Sequence, residues 1–257
     1  MNKGIFDSHS HYTDKAFDTD RYELLASLSE KGVEAVMLAC TDVNDSAQAL
    51  RIAQDFDFIY SSVGVHPESA GDVSQNYLAE LEKIAKSSSK VKAVGEIGID
   101  YHYEGYDEKL QKKLFEEQLD LAKSLDLPVI IHSRDATADT LEIIKKHRPK
   151  GVVHCFSGSK ETALELVDMG MYIGLTGVVT FKNAKKACSV AQSVPMDRLL
   201  IETDCPYMAP EPWRSKRCDS SMLVSVVSKI AELRGINAED VAKFTCENAR
   251  RLFDING

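Results

Sequence analysis

The stretch PVIIHSR, residues 128–134, is apolar until its C-terminal end, where His132 and Arg134 appear. A run with no polar alternation is a strand covered on both faces, the situation of a parallel sheet flanked by helices. RLLIETD, residues 198–204, repeats the form. Further Val- and Ile-rich runs lie outward from these two, at Gly4–His9, Val33–Cys40, Ile59–His66, Val91–Ile99, Gly151–Phe156 and Met171–Thr176. With Pro128–Arg134 and Leu199–Asp204 they make eight candidate strands. Amphipathic segments such as YLAELEKIAKSS and EKLQKKLFEEQLDLAKSLD separate them, and two more helical patterns, SSMLVSVVSKIAELRG and AEDVAKFTCENARRLFD, follow the last. Modules of about 30 residues repeated about eight times predict an α/β fold, a single (β/α)8 TIM barrel with a parallel eight-stranded core and extra C-terminal helices, over residues 1–257 as one domain. An open doubly wound sheet is the alternative, weakened because no GxGxxG follows the first strand.

Composition sets outer limits. The 44% hydrophobic and 28% charged content of 257 residues supports a globular core and excludes a disordered or collagen-like chain. Lys and Arg number 31 against 40 Asp and Glu, a formal charge of −9, so no protein-wide basic field recruits nucleic acid. A polyanionic substrate therefore needs a local basic patch or bound cations. Six scattered cysteines without a CxxC pair read as reduced thiols, and MNKGIFDSHSHYTD has no apolar segment of a secretory signal, so a cytoplasmic location is expected. No apolar stretch approaches the ~20 residues of a membrane span, and no protein partner is indicated.

The histidines carry the functional information. Five of the 7 fall at or just past the C-terminal end of a predicted strand: His9, His11, His66, His132 and His154. In a (β/α)8 barrel that end is where active sites are built. His102 and His147 read as surface residues. Strand alternation puts Asp7, His9 and His11 on one face, about 6.5 to 7 Å apart pairwise along the strand. Glu96, in VGEIGIDY, sits among apolar residues and glycines, where an isolated carboxylate is costly unless paired or bound to a cation. With Asp204 from IETDCPYMAP, the set His9, His11, Glu96, His132, His154 and Asp204 exceeds the three or four protein ligands of one catalytic zinc. It fits two cations roughly 3.5 to 4 Å apart sharing a carboxylate. Mixed nitrogen and oxygen donors suit Zn, Mn, Fe, Ni or Co, and Mg less naturally, without choosing among them.

DSHSH, GVHPE, VGEIGIDYHYE, PVIIHSRDA, GVVHCFSG, GLTGVVTF and LLIETDCPYMAP, in this order, resemble the motifs of the TatD family of metal-dependent deoxyribonucleases, amidohydrolase-like TIM barrels. The resemblance runs from about Phe6 to Phe253. It implies one cation held by His9, His11, Glu96 and Asp204, a second held by Glu96, His132 and His154, and Glu96 bridging them. It also implies hydrolysis of DNA phosphodiesters from a 3′ end. Two departures stand out: RSKRCDS replaces the RGKRNEP common in relatives, and Glu68 stands where relatives carry a second histidine.

On this reading the cofactors are two divalent ions per subunit (Mg, Zn, Mn, Ni or Co), and DNA 3′ ends are the partner, touched only locally. Asp204 orients the attacking water and accepts its proton, and Glu96 joins it as a catalytic group. His66 contacts substrate phosphate or the leaving group, and Arg134, facing the same way as His132, clamps a phosphate. Asp7 and Glu202, each two residues before a ligand, either accept a hydrogen bond from an imidazole, position the catalytic loop, or form structural ion pairs. Trp213 to Arg217 offers three cations beside an indole, as a phosphate and base platform or as solvated surface. The competing functions keep the metals but change the bond to another ester, a lactone or an amide. A non-catalytic barrel is disfavoured because every ligand position holds a competent donor.

Overall fold

A computed structural model describes residues 4–255. Eight parallel strands pair in sequence order: β1 (Ile5–Ser10), β2 (Val33–Leu38), β3 (Ile59–Val63), β4 (Val91–Asp100), β5 (Val129–Arg134), β6 (Gly151–Val153), β7 (Tyr172–Leu175) and β8 (Leu199–Ile201). A parallel bridge between Ser10 and Cys205 brings β8 back to β1, helped by His11 N–H donating to the Cys205 carbonyl at 2.9 Å and Asp204 N–H to the His9 carbonyl at 3.0 Å. The predicted TIM barrel is therefore the fold. Around it run α1 (Arg21–Ser27), α2 (Val43–Gln54), α3 (Tyr77–Ser87), α4 (Glu108–Leu125), α5 (Thr137–His147), α6 (Lys160–Asp168), α7 (Lys185–Ser193), α8 (Leu223–Arg234) and α9 (Ala238–Leu252). No described helix is long and apolar enough to cross a membrane.

Local chemistry starts and stops these helices. Asp42, Asp107 and Ser159 each accept a backbone N–H of the first turn, capping α2, α4 and α6. Gly170 and Gly235 take the left-handed backbone that closes α6 and α8.

Apolar side chains divide into two layers. Ile5, Val36, Leu38, Val94, Ile131, Val153, Ile173 and Ile201 face outward to the helices in the larger cluster. Phe6, Met37, Ala93, Ile130, Val152, Tyr172 and Leu200 fill the barrel below its mouth, and Ala249 and Leu252 of α9, with Phe253 just after it, plug the bottom, the Phe6 and Phe253 rings 5.9 Å apart. Ile130, Val152 and Leu200 each lie two residues before a polar site residue, so alternation lifts His132, His154 and Glu202 from this floor into the mouth.

Strand ends depart from expectation where ligands stand. β6 stops at Val153 rather than Phe156, and β8 at Ile201 rather than Asp204, because Cys155 (φ 43°) and Asp204 (φ 58°) adopt the left-handed backbone that a ladder cannot continue. β4 instead extends to Asp100, one residue beyond the predicted strand.

Candidate metal centre

All six predicted ligands converge at the C-terminal mouth of the barrel, and Glu96 is their centre. Its Oε1 lies 2.6 Å from His154 Nε2, 2.7 Å from His132 Nδ1 and 3.5 Å from His66 Nε2. Its Oε2 lies 3.3 Å from His9 Nε2 and 3.6 Å from His11 Nε2. Asp204 Oδ1 approaches His11 Nε2 at 3.2 Å and His9 Nε2 at 3.6 Å. Neither Lys nor Arg pairs with Glu96 among the described residues, so its burial at 3% exposure is matched by imidazoles alone.

The donor chemistry fits cations. His11 Nδ1–H donates to the Ala39 carbonyl at 3.1 Å, leaving a lone pair on Nε2. His132 Nε2 faces Asp100 Oδ2 at 2.9 Å, so its proton sits there and the lone pair on Nδ1. Yet His9 Nε2 and His11 Nε2 are 3.0 Å apart, and His132 Nδ1 and His154 Nε2 are 3.2 Å apart. Nitrogens this close hold a proton between them, one ring donating and the other accepting, or a cation in its place. Without a metal, protons fill that role. Burial opposes the charged form of His11 and His132, but the hydrogen bond with Asp204 lifts His11 to about 9, and those with Asp100 and Glu96 lift His132 to about 9. His9 is driven down to about 4 by burial and by His154. Burial would raise Glu96 and Asp204, but the surrounding imidazoles hold Glu96 well below the carboxylate range and lower Asp204. A cluster of donors that holds protons in this way suits divalent cations, which bind as those protons leave.

Three groups of side chains bring their ligand atoms within 4.8 Å of one another: His9, His11 and Glu96; His66, Glu96 and His132; and His9, His154 and Glu202. His66 is the poor member. Its Nδ1 accepts the Glu68 backbone N–H at 3.2 Å, so the neutral ring carries its proton on Nε2 and presents a donor to the site, not a lone pair.

A surrounding layer fixes these ligands. Asp100, which the apolar runs of the sequence do not single out, holds His132 and also accepts His102 N–H at 2.8 Å. The signal that points to it is the alternation Glu96, Gly98, Asp100 along β4. Glu202 accepts the Cys155 N–H at 2.5 Å and the Ser8 hydroxyl at 3.2 Å, and lies 3.7 Å from His154 Nδ1. Gly174 makes room for it: a Cβ there would stand 2.5 Å from Glu202 Oε2. Asp7 behaves differently from the one-face expectation. The register of β1 shifts between Asp7 and Ser10, and the Asp7 carboxylate accepts Thr203 Oγ1 and Ser220 Oγ at 2.6 Å and Thr203 N–H at 2.9 Å, touching neither imidazole ring. It pins the segment that delivers Asp204. Neither Asp7 nor Glu202 forms an ion pair with Lys or Arg among the described residues; Asp7 bonds the segment before Asp204, and Glu202 bonds the Cys155 N–H beside His154.

The centre opens into a cavity of about 710 Å³. Asp14, Asp42, Asp45 and Glu68, on the segments after β1 to β3, line it with Tyr207 and Met208 of the loop after β8, with Tyr103 past the end of β4 and with Arg134 at the end of β5; the Tyr207 hydroxyl donates to Asp14 Oδ2 at 3.2 Å. Arg134 is the one Lys or Arg in this lining, held 5.3 Å over the Tyr103 ring. The three cations of the Trp213–Arg217 loop are outside it. Arg217 makes an ion pair with Asp20 at 2.5 Å and covers the Phe17 ring, while Arg214 stacks 3.7 Å over Phe181. His102 is exposed and paired with Asp135; His147 is tucked between Glu116 and Asp120 at the end of α5.

An eight-stranded parallel barrel with imidazoles and carboxylates gathered at its C-terminal mouth defines a metal-dependent hydrolase. Residues 6–254 match the family model described as TatD related DNase, and the chain belongs to that family. It is 41% identical over 255 residues to a Bacillus subtilis protein named uncharacterized metal-dependent hydrolase YabD, covering 98% of this chain and 100% of that one. It is 34% identical to a protein of Erwinia tasmaniensis named 3′-5′ ssDNA/RNA exonuclease TatD, with 98% and 100% covered. The crystal structure of YjjV, a TatD homologue from Escherichia coli, superposes with a TM-score of 0.94 at 32% identity over the whole of both chains.

Proposed function

We propose that this protein is a two-metal phosphodiesterase that removes nucleotides from the 3′ end of DNA. The observation that carries the reading is the convergence of five imidazoles and two carboxylates on one cavity, with Glu96 in contact distance of ligands on both sides. His9, His11, Glu96 and Asp204 would hold one cation, and Glu96, His132 and His154 the other. Two such cations, when bound, acidify a water and polarise a phosphoryl oxygen.

The chain's own residues supply the rest. Asp204, 14% exposed at the cavity edge and kept ionised by its imidazole neighbours, orients the attacking water and takes its proton. His66, with its proton fixed on Nε2, donates a hydrogen bond to a phosphoryl or leaving oxygen near Glu96. Arg134 binds the phosphate, the Tyr103 ring limiting its swing. The carboxylates Asp14, Asp42, Asp45 and Glu68 repel further phosphates, so a strand terminus, not a long duplex, enters.

The test is hydrolysis by metal-loaded protein of 3′-ended single-stranded DNA beside a panel of esters and lactones, with metal content measured on the same sample. Nucleotide release that disappears on chelation, at about two divalent ions per chain, is the expected result. Robust lactone or ester hydrolysis without nucleotide release would assign the centre to another bond.

A further inference from the structure

We infer that the body of a single-stranded nucleic acid, beyond the nucleotide in the cavity, lies over a basic surface formed by Lys182, Lys185, Lys186 and Arg214 on the rim between β7 and β8. The inference rests on the phosphodiesterase reading above and says where the rest of that substrate goes.

Acidic residues outnumber basic ones 40 to 31 in this chain, yet from Met169 to Met196 there is no Asp or Glu. Lys182, Lys185 and Lys186 fall in that stretch, all exposed, in the loop after β7 and the first turn of α7. Arg214, exposed in the loop after β8, stacks 3.7 Å over Phe181 and so joins the two loops into one surface. Thr180 Oγ1 accepts the Glu211 N–H at 2.9 Å and strengthens the same junction. Both loops leave the C-terminal ends of their strands, the face on which the cavity opens, and Met208 of the β8 loop lines that cavity.

None of the four cations makes an ion pair with a described acidic residue, in contrast to Arg217, which Asp20 occupies. Glu211, the one carboxylate between Cys205 and Cys218, pairs with none of them. Helix stability does not account for the lysines either. Lys185 and Lys186 are the first residues of α7, whose first turn has no acidic side chain, and cations there oppose the helix dipole. Four unpaired positive charges, one of them a guanidinium stacked on a ring, match a string of phosphates with unstacked bases. Asp14, Asp42, Asp45 and Glu68 lie on the segments after β1 to β3, so a strand leaving the centre is driven to the rest of the mouth, where these lysines and Arg214 stand.

The experiment compares wild type with K182Q/K185Q/K186Q, both metal-loaded, on a single-stranded oligonucleotide of about 12 residues and on the small diester bis(p-nitrophenyl) phosphate. Each phosphate contact contributes about 0.7 to the slope of log affinity against log salt, so the variant should lose about 2 units of slope and show a KM for the oligonucleotide raised about tenfold. Hydrolysis of the small diester should stay as in wild type. An unchanged KM and salt slope would overturn the surface while leaving the phosphodiesterase reading intact. If wild type releases no nucleotide, that reading fails, and fluorescence anisotropy of the labelled oligonucleotide on both proteins still decides the surface: equal affinities and slopes reject it.

Discussion

Gly174→Ala tests whether Glu202 is the strut beneath the centre. A Cβ at position 174 would meet Glu202 Oε2 at 2.5 Å and Cδ and Oε1 at 2.8 Å. An ordinary contact needs 3.4 Å, so the carboxylate must retreat by about 0.9 Å. Glu202 is fully buried, so the retreating carboxylate must stay within the packed interior. A shift of that size breaks the Cys155 N–H bond or the Ser8 hydroxyl bond, leaving a buried carboxylate or amide short of a partner. Overpacking and one lost buried hydrogen bond together cost about 2 to 4 kcal/mol. At about 2 to 4 °C per kcal/mol for a chain of this size, Tm should fall by roughly 4 to 16 °C in calorimetry of the metal-free protein. Adding Glu202→Asp, which withdraws the carboxylate by one methylene, should return part of the loss. Because Cys155 follows His154, metal affinity should weaken in parallel. A metal-free Tm within about 1 °C of wild type, or a double variant no better than the sum of the singles, would refute the strut.

Asp204→Asn should leave the fold intact and lower turnover by about 10² to 10⁴-fold, the usual contribution of a general base; steady-state rates at saturating metal check it, and unchanged turnover removes Asp204 from the mechanism. Asp100→Asn keeps the shape but not the charge that faces His132 Nε2 at 2.9 Å, so affinity for the more weakly held cation should drop about 10- to 100-fold in a chelator competition, with no change expected if Asp100 merely fills space. Arg134→Gln should raise KM for the oligonucleotide about 10- to 100-fold through loss of a charge-assisted hydrogen bond, whereas Arg217→Gln should leave KM alone because Asp20 already holds that guanidinium; equal effects of the two would contradict the cavity assignment.

The architecture is legible because parallel strands covered on both faces write themselves as unbroken apolar runs, and PVIIHSR and RLLIETD end in polar residues where the barrel opens. Most of the candidate ligands are legible for the same reason, standing at or just past the end of such a run, whereas Glu96 is legible as an isolated carboxylate inside the apolar run of β4. What escapes depends on backbone irregularity or on distance. The register shift in β1 turns Asp7 away from the imidazoles and toward Thr203 and Ser220, which no period-two rule foresees. Arg217 reads in sequence as part of a phosphate platform or of a solvated surface with Arg214 and Lys216, but its partner Asp20 is 197 residues away in the chain. Asp100 is within reach of the alternation argument, yet it stands one residue past the apolar run that marks β4.

On the phosphodiesterase reading, the carboxylates at the mouth and the proposed basic rim answer the difficulty that a net charge of −9 poses for a polyanionic substrate. A uniformly basic surface would hold any polyanion anywhere, and its affinity would be spread over nonproductive registers. On that reading a strand meets positive charge at the centre itself, at Arg134 and at the proposed rim of Lys182, Lys185, Lys186 and Arg214, while Asp14, Asp42, Asp45 and Glu68 line the cavity on the segments after β1 to β3. A chain end can satisfy the centre and the rim at once. An internal segment has to carry phosphates away in both directions, and one of those directions crosses four carboxylates. If the protein trims strand ends as proposed, repulsion at the mouth accounts for end selection, and neutralising Asp42 and Glu68 to Asn and Gln should increase internal cleavage of a circular single strand relative to trimming of a linear one. Product sizes on a gel report the ratio, and a ratio equal to that of wild type would show that end preference comes from the cavity's shape and not from its charge.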